Sequence, residues 1–390
     1  MTAIIAGYAR TPYCKINGAL ASLSAVELGA IAARAALASA QVSASAVQHV
    51  IAGHVIQTGC GQNPARQTAV AAGVGNSVPA ITLNSVCLSG ADAVIYASQL
   101  IEMGQAEVVL VVGQESMSQS PHAQLGSRLG KKFGPITLID TLEIDGLTDA
   151  FSGESMGLAT EKVTALAGIT REAQDSLAVS SHQRAHASRD WVAGEVAAVT
   201  VSSKAGDAII SEDDGIRADV SMESVAKLRP AFAKDGTITA ANSSPLTDGA
   251  AALVLVSETW ANANGVRGLG RVLGYAKVAG PDYSLNLQPA NAINAALARA
   301  DRSLADLKSV EINEAFAAVS VASTEALGLS PEIVNPDGGA IAIGHPIGSS
   351  GARIVGHLAR NLQKLGGGSI GAIGICGGGG QGVGIVVEAI

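Results

Sequence analysis

Aromatic residues are scarce, 3% of a 390-residue chain that is 48% hydrophobic, so its core has to be assembled from Ala, Val, Leu and Ile. Proline is also sparse, at 12, whereas glycine reaches 46. That imbalance points to close helix–sheet approaches and tight turns, not to disorder. The cysteines, Cys14, Cys60, Cys87 and Cys376, lie far apart and form no CxxC pair. They argue against a disulfide framework and fit a reducing, cytoplasmic setting. No apolar run reaches the roughly 18 residues that would span a bilayer, so no membrane partner is expected. The opening Met1–Arg10 lacks a basic stretch and cleavage site and reads as a first strand, not a signal peptide. Positive charge is lacking overall: a formal net charge of −8 argues against general nucleic-acid binding. It leaves room for an anionic small ligand at a local basic patch.

What is present reads as α/β, in two or three domains. Apolar strands are expected at residues 3–8, 47–55, 78–84 and 107–113, with helices at 24–40, 66–72 and 91–103 between them. Ser24 with Glu27 forms a capping box, and Gly104 stands where a helix ends. Such alternation signals a parallel sheet covered on both faces. From about Gln114 to Leu246 the texture turns polar and glycine-punctuated, with helices at 152–166 and 170–191. An insertion of this kind usually carries ligand contacts.

After Asp248 the α/β pattern returns and repeats itself. Gly7-Tyr8-Ala9-Arg10 is echoed by Gly274-Tyr275-Ala276-Lys277, and Ser89-Gly90-Ala91 by Ser350-Gly351-Ala352, in the same order as their flanking elements. Two similar halves are therefore expected, with a shared crevice where equivalent strand ends converge. Cys87 sits at a strand-to-helix turn in the first half, where backbone N–H groups and the helix dipole favour thiolate. A buried structural cysteine is the alternative. The counterpart in the second half is Gly344–Ser350, so His345 is expected to approach Cys87. Three polar clusters stand out, at Asn313, His345 and Cys376, and the glycines beside His345 and Cys376 could bring backbone N–H groups close to a reacting carbonyl.

The segments Asn84-Ser-Val-Cys87-Leu-Ser-Gly, Asn313-Glu-Ala-Phe, Gly339-Ala-Ile-Ala-Ile-Gly-His345-Pro-Ile-Gly and Cys376-Gly-Gly-Gly-Gly-Gln-Gly resemble the four active-site blocks of the thiolase family, and of its acetyl-CoA acetyltransferases in particular. The likeness runs through essentially the whole chain. It implies two βαβαβαββ halves packed as a five-layered α-β-α-β-α core with an inserted loop domain. The implied divisions are 1–118 with 248–268, the insert 119–247, and 269–390. The implied reaction is Claisen condensation of two acetyl-CoA to acetoacetyl-CoA plus CoA, and the reverse thiolysis. CoA thioesters would be the substrates, with no metal or other cofactor.

By the same resemblance Cys87 is the nucleophile, His345 its base, and Cys376 the group that moves the α-proton. Asn313, through a water, and His345 form one oxyanion site, and the N–H groups of Cys87 and Gly378 form the other. Arg217 is placed near the nucleotide phosphates and Ser244 at the pantetheine, with Leu147, Met156, Phe232, Ala315 and Phe316 as pocket walls. A homotetramer is implied by the region around Asp145–Phe151.

The chain departs from the family pattern at Ser155, where His is common, at Leu88 and at Pro245. Ser155 widens the acyl pocket, which keeps a degradative 3-ketoacyl-CoA thiolase of broader chain length as the alternative. A non-enzymatic CoA-binding homologue is the alternative outside enzymes. His182 and His186 have a zinc-pair spacing but no third ligand, and are expected on a solvated helix face.

Overall fold

The valines of Val108–Ser116 alternate between two cores, and that alternation organises the molecule. Val108, Leu110 and Val112 join one buried cluster, whereas Val109 and Val111 join another on the opposite face of the strand. The computed structural model describes residues 2–204 and 206–390.

In chain order the first half comprises β1 (Ala3–Arg10), α1 (Ala25–Ala40), β2 (His49–Gly53), α2 (Pro64–Ala71), β3 (Ala80–Leu83), α3 (Ser89–Glu102) and β4 (Val108–Ser116). The insert carries α4 (Met156–Leu166) and α5 (Arg171–Ala187), after which β5 (Thr247–Ser257) returns to the sheet. The second half comprises β6 (Gly270–Ala279), α6 (Gln288–Arg299), β7 (Leu307–Ile312), α7 (Ala317–Leu327), α8 (Ser350–Leu365), β8 (Ile370–Gly377) and β9 (Gln381–Ala389).

The strands run in the order β7-β8-β9-β6-β1-β5-β4-β2-β3, with Cys14–Lys15 added beside β5. The halves join where β1 meets β6 antiparallel, Ile4 opposite Arg271 and Ile5 opposite Gly270. Helix α1 covers the outer face of the first half, α6 that of the second, and α3 with α8 fill the layer between. This is a five-layered α-β-α-β-α core.

A purely parallel sheet is not what forms. Pairs β2–β3, β2–β4 and β7–β8 are parallel, whereas β1–β5, β4–β5, β6–β9 and β8–β9 are antiparallel. The reason is connectivity: β8 and β9 are joined by a tight Gly378–Gly380 turn, which permits only a hairpin.

The repeat extends to irregularities. Strand register shifts between Ile5 and Gly7 in one half and between Val272 and Gly274 in the other. A Cβ on Gly7 would lie 2.5 Å from Ala40 N, and one on Gly274 would lie 2.9 Å from Ala300 N. Each half therefore uses one glycine to seat its strand against the end of its outer helix.

The insert is clamped to the core by charge. Arg10 is fully buried, with Nε 2.8 Å from Glu195 and a two-pronged contact to Asp213 at 2.7 and 2.8 Å. Glu195 also accepts from Arg360 and meets His357 at 2.9 Å. Among the described residues no helix is long and apolar enough to cross a membrane.

Candidate active site

The loop from β3 into α3 is built to present Cys87. Asn84 Oδ1 accepts the Val86 N–H at 3.0 Å, and Ser89 Oγ accepts from Ser85 N and donates to Val86 O. Between these anchors Val86 is held at φ 53°, left-handed backbone that a β-branched residue rarely adopts. Such a conformation costs about 1–3 kcal/mol and persists only where neighbours enforce it. Cys87 follows, half-buried, at the start of α3.

His345 reaches the same place from the second half. Gly344, at φ 114°, precedes it, and a Cβ there would strike Thr247 at 2.6 Å. Thr247 Oγ1 then accepts the His345 N–H at 3.2 Å. Ser350 Oγ donates to Pro346 O, so at 2.6 Å it accepts from His345 Nδ1–H. That hydrogen bond leaves Nε2 as the acceptor nitrogen, to which Asn313 Nδ2 donates at 3.5 Å. Asn313 directly follows β7, its N–H held by Gly374 O, and among the described residues its buried Oδ1 has no partner. Cys376, buried, ends β8, and Gly378 follows in the turn to β9.

One cavity of about 380 Å³ gathers these groups except Asn313, which is fully buried beside His345 and does not line it. Cys87, His345, Cys376 and Gly378 line it together with Ser244, Leu147, Met156, Phe232, Ala315 and Phe316. Phe232 and Phe316 meet edge to face, centroids 5.9 Å apart. A Cβ on Gly157 would lie 2.4 Å from the Phe232 ring, so glycine in the first turn of α4 makes room for that wall. Ser244 donates through both N and Oγ to Ala315 O, at 3.0 and 3.1 Å. Arg217 lies outside the cavity with an exposed side chain, its N–H donating to His182 Nδ1 at 3.3 Å.

The electrostatics depart from the expected thiolate. Burial pushes the Cys87 thiol up to about 12, although the N–H groups of Cys87 and Gly378 pull the other way. Desolvation, aided by the carboxylate of Glu115, outweighs what the helix start offers. Burial, with Arg353 nearby, holds His345 down near 4. The resting pair is therefore neutral thiol and neutral imidazole. Cys376 is pushed above the ordinary thiol range by burial and by Cys87.

Three sequence readings are corrected or sharpened. His182 is buried, not solvated, because α5 turns it inward beneath Arg217; His186 alone is exposed. Leu88 is fully buried and packs on Gly377, away from the cavity. Ser155 does line the cavity and also caps α4 by accepting the Leu158 N–H. Leu285, Met117, Ile347 and Glu143 line the cavity without having been singled out in the sequence. Leu285 reaches it from the β6–α6 loop, where nothing local marks it.

A cysteine at a helix start, a base fixed as acceptor, a second cysteine and paired N–H donors define a cysteine-dependent acyltransferase. The comparisons agree. Residues 3–259 match the model described as "Thiolase, N-terminal domain" and residues 266–389 the one described as "Thiolase, C-terminal domain". The chain is 48% identical over its whole length to the probable acetyl-CoA acetyltransferase of Mycobacterium tuberculosis, covering 99% of that protein. It is 43% identical to the acetyl-CoA acetyltransferase of Cupriavidus necator, over 99% of this chain and 98% of that one. The same identity and coverages hold for rat "Acetyl-CoA acetyltransferase, cytosolic". The crystal structure of the Bacillus anthracis acetyl-CoA acetyltransferase superposes with a TM-score of 0.96 at 36% identity, covering 100% of this chain and 99% of that one. The chain belongs to the thiolase family.

Proposed function

We propose that the protein is an acetyl-CoA C-acetyltransferase, condensing two acetyl-CoA to acetoacetyl-CoA plus CoA and catalysing the reverse thiolysis. The observation that carries this reading is that both thiols, His345 and Gly378 line a single cavity. The full-length likeness to proteins of that name supports it.

In the proposed first half-reaction, His345 Nε2 takes the Cys87 proton as sulfur attacks the acyl carbon. The oxyanion is held by the N–H groups of Cys87 and Gly378. CoA leaves as the thiol, taking the proton of Cys376. In the second, the Cys376 thiolate removes the α-proton of acetyl-CoA; its raised pKa makes it a strong base for so weak an acid. The enolate oxygen is held by protonated His345 and by Asn313 through a water. The carbanion attacks the S-acyl group, and Cys87 leaves and recovers its proton from His345. All three groups end as they began, and the kinetics are ping-pong.

CoA would lie along the insert, residues 119–247, with Arg217 at the nucleotide phosphates and Ser244 at the pantetheine. The flanking units would be 1–118 with 248–268, and 269–390. No further cofactor enters this scheme, because the cavity residues supply nucleophile, base and oxyanion donors.

A homotetramer is the assembly we favour: Leu125, Leu129, Phe133 and Ile136 stand exposed on one loop of the insert, a patch that association would cover. Four free cysteines support a cytoplasmic setting.

Incubation with acetyl-CoA is expected to place one acetyl group on the peptide containing Cys87. Acetylation of Cys376 instead, or of neither, rejects the role assignment. A kcat/KM series over 3-ketoacyl-CoA chain length tests the substrate, and a flat or rising profile beyond acetoacetyl-CoA favours the broader degradative thiolase.

A further inference from the structure

Glu115 is fully buried in β4 and takes no part in the proposed proton transfers. Side chains alternate along that strand, so Glu115 shares the inner face with Val109 and Val111, towards the layer that α3 and α8 fill. An ionised group buried there needs partners. Its Oε2 accepts the Val55 N–H at 3.1 Å and the Gly348 N–H at 3.0 Å, and its Oε1 accepts the Ile56 N–H at 3.2 Å. His54 Nε2 lies 3.4 Å from Oε1, and burial holds that imidazole down near 4, so it is neutral. We infer that Glu115 is a positioning residue for the reaction: its one carboxylate ties the turn that carries His345 to the loop that follows β2, and so sets both against Cys87. The inference rests on the proposal that His345 is the base for Cys87.

The turn His345–Gly348 lies directly on β4. A Cβ on Gly348 would come 2.6 Å from Gln114 O and 2.9 Å from Glu115 Oε2, and one on Gly113 would come 2.8 Å from Ser349 Cα. The turn belongs to the second half and Val55–Ile56 to the first, so Oε2 bridges the halves. The side chains beside its anchors shape the cavity. Ile347, next to Gly348, lines it, and with Ile56 it encloses Gly146, where a Cβ would meet the two at 3.0 and 3.1 Å. Val55, Ile56, Met117 and Ile347 share one buried cluster, and Cys87 packs against it.

A carboxylate is what this arrangement demands. Three N–H donors converge on two oxygens, and an ionised Glu accepts without donating. Glutamine would turn its NH₂ towards one of the donors, and aspartate, one carbon shorter, would reach one loop and not both. The charge is also felt at sulfur, where Glu115 helps to push the Cys87 thiol up. Reach and charge therefore leave separate signatures.

The test compares wild type, Glu115→Gln and Glu115→Asp in the full-length enzyme between pH 8 and pH 10, above the value of about 7 to which burial raises Glu115. In acetoacetyl-CoA thiolysis both variants are expected to lose about tenfold or more in kcat, with KM changed by less than about threefold, because the base shifts and the CoA contacts do not. Iodoacetamide modification of Cys87 reads the charge without turnover. Glu115→Gln should react about threefold or more faster than wild type at each pH, whereas Glu115→Asp, which keeps the charge, should stay within about twofold. Glu115→Asp also keeps the test open if the glutamine variant folds poorly. A loosened fold would instead let the thiol titrate near its ordinary value of about 8.5, and alkylation would level off by about pH 10. Levelling off in both variants, a kcat within about twofold of wild type in both, or a loss carried by KM overturns the inference. Wild-type thiolysis and Cys87 acetylation report separately on the underlying reaction: their absence sinks the acetyltransferase reading, whereas unchanged variants with both present sink only the clamp.

Discussion

Gly90 and Gly351 occupy the same place in the two halves, and each fits only because it lacks a side chain against the other's helix. A Cβ on Gly90 would lie 2.6 Å from Ala352 N, and one on Gly351 would lie 2.3 Å from Ala91 N. The contacts are with backbone, so no rotamer change relieves them. Helices α3 and α8 therefore cross at their first turns, which is where Cys87 and the His345 loop enter.

Gly351→Ala is expected to force the two helices apart. Overpacking of this kind costs about 1–3 kcal/mol, readable as a lowered midpoint in urea unfolding. Acyl transfer should fall more than stability predicts, because the nucleophile and its base ride on opposite sides of the crossing. A variant with wild-type midpoint and wild-type thiolysis would show that the crossing does not set the site.

That crossing was legible in the sequence, as the echo of Ser89-Gly-Ala in Ser350-Gly-Ala, because duplicated packing demands the same small residues twice. Two of the catalytic clusters were legible for a related reason: glycines flank His345 and Cys376. What the sequence withheld depends on contacts between distant segments. The antiparallel strands follow from how β5 and β9 return. The burial of His182 follows from the insert folding over α5. The neutral state of Cys87 follows from the segments packed around it, which desolvate the sulfur and set Glu115 nearby.

Ser350 fixes the His345 tautomer without touching the cavity, so its loss should be read in turnover and not in binding. Ser350→Ala is expected to lower kcat about tenfold or more, with KM little changed, since misplacing a base by a fraction of an ångström carries that penalty. His345→Ala, which removes the base itself, should cost about 10²–10⁴ in the acylation step. If Ser350→Ala instead raises KM at constant kcat, the hydroxyl serves substrate binding and not the imidazole.

The free enzyme should alkylate as a thiol. With burial holding Cys87 near 12 and His345 near 4, neither group changes charge around neutrality. The rate of iodoacetamide modification at Cys87 is therefore expected to climb about tenfold per pH unit through the neutral range, following the thiolate fraction. A plateau reached by pH 6 would reveal a preformed thiolate–imidazolium pair and contradict the neutral resting state.

The charge cluster that ties the insert to the core should make stability depend on pH from both sides. His357 is buried, 2.9 Å from Glu195, 3.3 Å from Asp337 and 4.0 Å from Glu311, with Asn361 at 3.1 Å. Against the cost of burial these carboxylates raise it from its ordinary 6.5 to about 9. A raised folded-state pKa means the stabilisation is complete below about 6.5 and is lost as pH climbs through about 9. Asp337, held down near 2, and Glu195, held down further by His357 and Arg10, work in the opposite sense. Their contribution is present above the ordinary carboxylate range and fades as pH falls through their lowered values. Removing the cation while keeping the volume, as in His357→Gln, leaves Asp337 without a positive partner. Breaking a buried pair in this way costs about 3–5 kcal/mol. Denaturant unfolding from pH 6 to pH 10 should show wild type weakening with rising pH and the variant, already weakened at pH 6, following a flatter line. Parallel lines would mean that His357 is neutral in the folded protein and that Arg10 and Arg360 alone hold Glu195.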